Sequence, residues 1–187
     1  MLLWIITAVV AAVVLYVIFV FNQLVRTRQM ANEAWSGIDV QLKRRSDLVP
    51  NLVDTVKGYA AHERGGLEEV TQLRGAARAL PSDDVARRAQ AEGALSAALG
   101  RLFALSENYP DLKASANFLD LQKQLSDLEN ELQMARRYYN GAVRNQNVLM
   151  QSFPSGLIAG LFGFRQRDFF EVADADRAVP QVDRAPR

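Results

Sequence analysis

Cysteine is absent from the chain, and histidine occurs once, as His62. Without cysteine there is no disulfide, no thiolate nucleophile and no cysteine metal site. His62-Glu63 begins like HExxH, but no second histidine completes the pair, so a zinc protease is excluded on ligand count. No Ser-His-Asp or Cys-His arrangement is read in the chain. An excess of one charge is also missing: 22 Lys and Arg stand against 21 Asp and Glu. Global charge therefore gives no pull toward nucleic acid. The glycines at 156, 160 and 163 follow a helix rather than a strand, and no Gly-Lys-Ser/Thr comes after them, so they make no phosphate loop. These patterns imply no catalytic residue, no metal, no cofactor and no small-molecule substrate.

What is present in strength is apolar patterning. Leu2 to Phe21 reads LLWIITAVVAAVVLYVIFVF, without a charge. As a helix it is ~30 Å long, the thickness of a hydrocarbon core. A cleaved signal peptide would carry a basic lead and a small-residue cleavage site, and neither is there. Residues 1–22 are therefore expected to be a transmembrane anchor in the cell membrane, in contact with lipid. Only the α-amino group is charged before it. Arg26 and Arg28, then Lys43, Arg44 and Arg45, follow it, which places the bulk of the chain on the cytoplasmic side.

Residues 23–153 carry heptads. Trp35, Ile38, Leu42, Arg45, Val49, Leu52, Val56 and Tyr59 alternate by three and four and share one helical stripe. Val70, Leu73, Ala77 and Leu80 continue it. Pro50 predicts a kink or restart. The pair Gly65-Gly66 predicts a break, at about 1 kcal/mol per glycine in a helix interior. Leu80-Pro81 ends the segment, and Ser82 is placed to cap a helix from Asp84 to Asn108 with Ala91, Leu95, Ala98, Leu102, Leu105 and Tyr109 on its stripe. A last helix starts near Ser115 and carries Phe118, Leu121, Leu125, Leu128, Leu132, Ala135, Tyr139, Ala142, Gln146 and Leu149. The predicted fold is all-α: the anchor, then an antiparallel up-and-down bundle of four long helices, or three without the glycine break. Residues 154–171 form an apolar tail that docks on the bundle or on the membrane surface. Residues 172–187 are polar, aperiodic and expected to be disordered.

Two polar residues fall on the inward stripes, Arg45 and Gln146. An inward guanidinium needs a carboxylate or several acceptors, so the two are read together as a candidate polar layer that fixes register. The alternative for Arg45 is snorkelling to water. Lys43, Arg44 and Asp47 form a candidate partner surface. Three basic residues between Asp39 and Asp47 read as a salt-bridged face, not as a nucleic-acid site. Glu68-Glu69 and Glu129/Glu131 read as solvated surface acids. Tyr139 faces inward, and its hydroxyl needs a partner.

Longer stretches carry a resemblance: Phe21-Asn22-Gln23-Leu24-Val25, EAWSGIDVQLKRRSDLVPNLVDTVKGYAAHE from Glu33, GRLFALSENYPDLKASANF from Gly100, ARRYYNGAV from Ala135, Phe153-Pro154, Gly163-Phe164 and Phe169-Phe170-Glu171. In these the chain resembles the LemA family from Phe21 to Glu171, and departs from it at Gly65-Gly66. The resemblance implies a single-pass membrane protein with an antiparallel helical bundle and no well-defined activity. The resulting expectation is a non-enzymatic scaffold or adaptor that self-assembles laterally as a homo-oligomer. The alternative is an accessory subunit of a membrane protease or other envelope enzyme, whose partner is a membrane protein.

Overall fold

The computed structural model describes residues 1–60 and 62–171; the segment expected to be disordered, 172–187, lies outside them. Its elements are α1 (Leu2–Tyr59), α2 (Arg64–Ala79), α3 (Val85–Ser106), α4 (Pro110–Lys113), α5 (Ala116–Gln151) and α6 (Ser155–Leu161). Among the described residues there is no strand.

The spine is α1. Its 58 residues make a rod of ~87 Å. Its N-terminal third touches almost nothing in the chain and has the length and apolarity to cross a bilayer. Burial begins at Val20 and then follows the heptad through Leu24, Ala31, Ala34, Ile38, Leu42, Arg45, Val49, Leu52 and Val56.

Contacts set the directions. Trp35 meets Tyr139 and Arg45 meets Glu129, so ten residues up α1 are ten residues down α5, and the two run antiparallel. Asp39 meets Arg88 and Arg45 meets Glu92, so α1 and α3 run parallel. The four longer helices go up, down, up and down, the first of the two arrangements expected.

Pro50 does not interrupt α1. A proline removes the N–H that would bond the carbonyl four residues back, here that of Ser46. That carbonyl instead accepts from Arg74 Nε of α2 at 2.6 Å. A neighbouring helix thus satisfies the group that proline leaves bare.

Helix α1 ends at Tyr59 and α2 starts at Arg64, so the break lies ahead of Gly65-Gly66, which are in the first turn of α2. The apolar stripe explains the shift: Val56 and Ala60 are its last buried members, and the chain turns once they are covered. Tyr109, just before α4, donates to Glu63 at 2.9 Å and ties the turn to the tip of α3. That bond to a carboxylate raises the tyrosine pKa. The cap of α3 also moves: Asp84, not Ser82, accepts from the Arg87 N–H at 3.2 Å. Either residue type suits the role, and Asp84 stands directly ahead of Val85, where the helix begins.

Two buried clusters fill the bundle. The membrane-distal one joins Val49, Leu52 and Val56 to Leu95, Leu99, Leu102, Leu112, Phe118 and Leu125. The membrane-proximal one joins Ala31, Ala34, Ile38 and Leu42 to Leu132, Tyr139, Val143 and Phe170. Phe170 belongs to no helix. It sits in the extended chain after α6, which lies back along α1 and α5.

Candidate functional site

Arg45 lies between the two clusters, one heptad step from Leu42 and from Val49. Its side chain is 2% exposed. It does not snorkel. One guanidinium nitrogen pairs with the carboxylate of Glu92 on α3, which is also buried, and bonds the Glu92 carbonyl at 3.2 Å. The other bonds Ser96 of α3 and Glu129 of α5, the latter at 3.1 Å. Three helices are joined at one level. Beside them, burial lowers the pKa of the Arg136 guanidinium; Glu129 opposes that shift and Arg45 adds to it.

Gln146 does not reach this layer. It stands 17 residues from Glu129 on α5, about 25 Å along the helix. Its amide touches Met150 Sδ at 3.9 Å, and its buried oxygen has no hydrogen-bond partner. The inward placement read for both residues holds, but the structure separates them. Lys43 pairs with Asp47 at 3.2 Å along the helix, and Arg44 reaches Glu131 of α5 at 3.3 Å. All four stay exposed, so the candidate partner surface is a salt-bridged strip along the α1–α5 seam.

Glu129 and Glu131 are therefore arginine partners rather than purely solvated acids, and Glu69 likewise pairs with Arg101 at 2.6 Å. The sequence reading missed Glu92 because the stripe it draws on α3 runs through Ala91. The buried set includes Ala89, Glu92, Leu95, Leu99 and Leu102, and apolar contrast is weak on an alanine-rich helix.

A second polar constellation fastens the tail. The Asn147 amide donates to the Arg167 carbonyl at 2.9 Å and accepts from its N–H at 3.0 Å. Asn140 does the same for Phe170, at 3.2 and 2.9 Å. The two asparagines stand seven residues apart, about 10.5 Å along α5. Their targets stand three apart, about 10 Å along an extended chain. The spacings match, so two side chains replace one edge of a β-ladder. Tyr139 donates to the Asp168 carbonyl at 3.0 Å, and its burial raises the phenol pKa. Phe170 seats between Trp35 and Arg136, with ring contacts at 5.6 Å and a guanidinium at 5.4 Å. The tail was expected to dock, but an extended segment has no helical period, and that left the residues that hold it unread.

The interior charges face one another, and side chains of α5 satisfy the backbone groups of the strap. The arrangement joins α1, α3 and α5 at one level and ties the tail to α5. The LemA family profile matches residues 34–183. Magnetosome protein MamQ of Magnetospirillum gryphiswaldense is 25% identical over 190 aligned positions, covering 87% of this chain and 70% of that protein. Magnetosome protein MamQ 1 of Paramagnetospirillum magneticum is 24% identical with the same coverage. Protein LemA of Metamycoplasma hominis is 27% identical over 158 positions, covering 83% of this chain and 71% of that protein.

Proposed function

The chain belongs to the LemA family, and we propose that it is a non-enzymatic scaffold, anchored by α1 and self-assembling laterally in the plane of the membrane. One observation carries the reading: the apolar span and the spine of the bundle are a single unbroken helix. A rod without a hinge passes the spacing and tilt of neighbouring anchors directly to the bundles. Those bundles reach ~55 Å beyond the span. The pairing of Arg45 with Glu92 and Glu129 supports the same reading, since it leaves these interior charges matched and rigid. Two relatives are named for the magnetosome rather than for a reaction, which also favours an assembly role.

The mass of the full-length protein in mild detergent tests this. A discrete oligomer, formed without any other protein, supports the scaffold. A single chain at every concentration overturns it. A second reading, the accessory subunit, draws on an open groove of about 630 Å³ between α3 and α5, lined by Leu99, Phe103, Leu119 and Leu125. A monomer that co-purifies with one membrane protein at fixed stoichiometry favours that reading.

The bundle is assigned to the cytoplasmic side by Arg26 and Arg28 after the span. Because the chain has no cysteine, a single Glu107→Cys at the exposed far end reports on this. A membrane-impermeant maleimide should label it only after lysis; labelling of intact cells would reverse the assignment.

A further inference from the structure

We propose that α6 is a lipid-interface helix, with its outer face in the acyl–headgroup boundary of the membrane that α1 crosses. Its inner face, Ile158 and Ala159, is buried against Val20 and Leu24, with Val17 at the edge. That is the level of the last apolar turns of α1, whose apolar run ends at Phe21, ahead of Asn22-Gln23. The ring of Phe162 meets the ring of Phe21 at 4.9 Å, and Phe164 meets it at 5.8 Å. So α6 is pinned at the level of Phe21 by aromatic contacts.

Its outer face is apolar and bare. Leu157 and Leu161, one turn apart, are 69% and 80% exposed, and Phe153 is 85% exposed. In water these side chains would form an unsupported patch. Here the patch continues the lipid-facing surface of α1, where Val13, Leu15 and Phe19 are exposed in the same way. Lipid is the occupant that continuity selects, and the charges beyond agree. Arg26 and Arg28 lie about 7 to 11 Å past Phe21 along α1, within reach of the headgroup layer. Arg28 stacks on Phe164 at 5.3 Å, and Arg165 follows directly in the chain.

Two glycines keep α6 in this place. A Cβ on Gly156 would stand 2.7 Å from the Met150 carbonyl, so only glycine lets α6 close onto the end of α5. At the other end Gly163 has a φ of +70°. The N–H of Phe164 bonds Ala159 and that of Gly163 bonds Gly160, the pairing of a Schellman cap. The cap ends α6 and turns the chain away from the lipid into the strap.

The test uses the full-length protein in phosphatidylcholine–phosphatidylglycerol vesicles. Leu157→Cys and Leu161→Cys are each labelled with a nitroxide, and collision with oxygen is compared with collision with a water-soluble nickel chelate. Val13→Cys supplies the lipid reference and Leu119→Cys the aqueous one. Circular dichroism checks that each labelled chain keeps its helix content. The expected result is an oxygen-to-nickel ratio at 157 and 161 severalfold above that at 119 and on the side of 13. Ratios matching 119 overturn the proposal. So does exclusion of both reagents at 157 and 161, which would mean that protein covers the face.

Discussion

The membrane-proximal and membrane-distal halves of the bundle solve the same packing problem differently. The distal half is a bundle of α1, α2, α3 and α5, filled mostly by leucine and valine and closed at its tip by Leu112 of α4. The proximal half has no such set. Helices α2 and α3 are 16 and 22 residues long and end near the level of Trp35. Below that level α1 and α5 continue as a pair. Small Ala31, Ala34 and Ala142 lie between them, and the strap of residues 165–171 stands in for the missing helices. Once helices run short, an extended segment can close a core if side chains supply its backbone with partners. Arg45 marks the boundary, with one cluster ending on each side of it.

Arg45→Leu should have the largest effect, because it leaves the buried Glu92 carboxylate without its cation. The expected loss is about 3–5 kcal/mol of unfolding free energy, read by urea titration in detergent. Helix content should be kept, while register or oligomer choice loosens. Adding Glu92→Leu should recover most of the loss and merge the two clusters into one, since the Glu129 side chain is already 37% exposed. If the single variant unfolds like the parent, Arg45 is not the seam between the halves.

Next come the two asparagines, which belong to the proximal half alone. Asn147→Ala or Asn140→Ala removes two hydrogen bonds to the strap, at about 1–3 kcal/mol each. Hydrogen exchange should rise at the Arg167 and Phe170 amides and stay unchanged in α2 and α3. Faster exchange throughout would mean that the halves unfold as one unit.

How much of this was legible follows from the same contrast. The stripes of α1 and α5 were readable because apolar residues recur every three or four positions against a charged background. Arg45 was readable as a polar interruption of such a stripe, but its partner was not. Glu92 sits on a helix where Ala91, Ala94 and Ala97 blur the contrast between faces. The strap was hidden more deeply, since nothing in residues 165–171 repeats and the asparagines that hold it look like ordinary surface residues. Pro50 predicts a kink or restart; the helix does not restart there, and the carbonyl that proline leaves bare is served by Arg74, 24 residues further along the chain.

That bond gives a smaller effect confined to the distal half. Arg74→Ala leaves the Ser46 carbonyl without a partner and should cost about 1–2 kcal/mol. In a Pro50→Ala background the restored N–H can serve that carbonyl, and the cost of Arg74→Ala should shrink. The double-mutant cycle isolates the coupling. Equal costs in both backgrounds would show that Arg74 acts elsewhere.

The smallest effect concerns the glycine pair at the start of α2, and it decides whether the distal half is finished by this chain alone. A Cβ at Gly65 or Gly66 meets no atom within 4 Å, and neither residue has a positive φ. Nothing among the described residues therefore requires glycine, and α1 has ended at Tyr59, ahead of both. Substitution by alanine restricts the unfolded chain, and should raise stability by about 0.4–1 kcal/mol per site in thermal melts of the full-length protein. If both variants are more stable and keep the parent's mass in detergent, the glycines are tolerated and the distal tip is free. If they are more stable as single chains but lose the oligomer, the bare backbone there is where a second copy approaches. Lateral assembly would then run through the tips as well as the anchors.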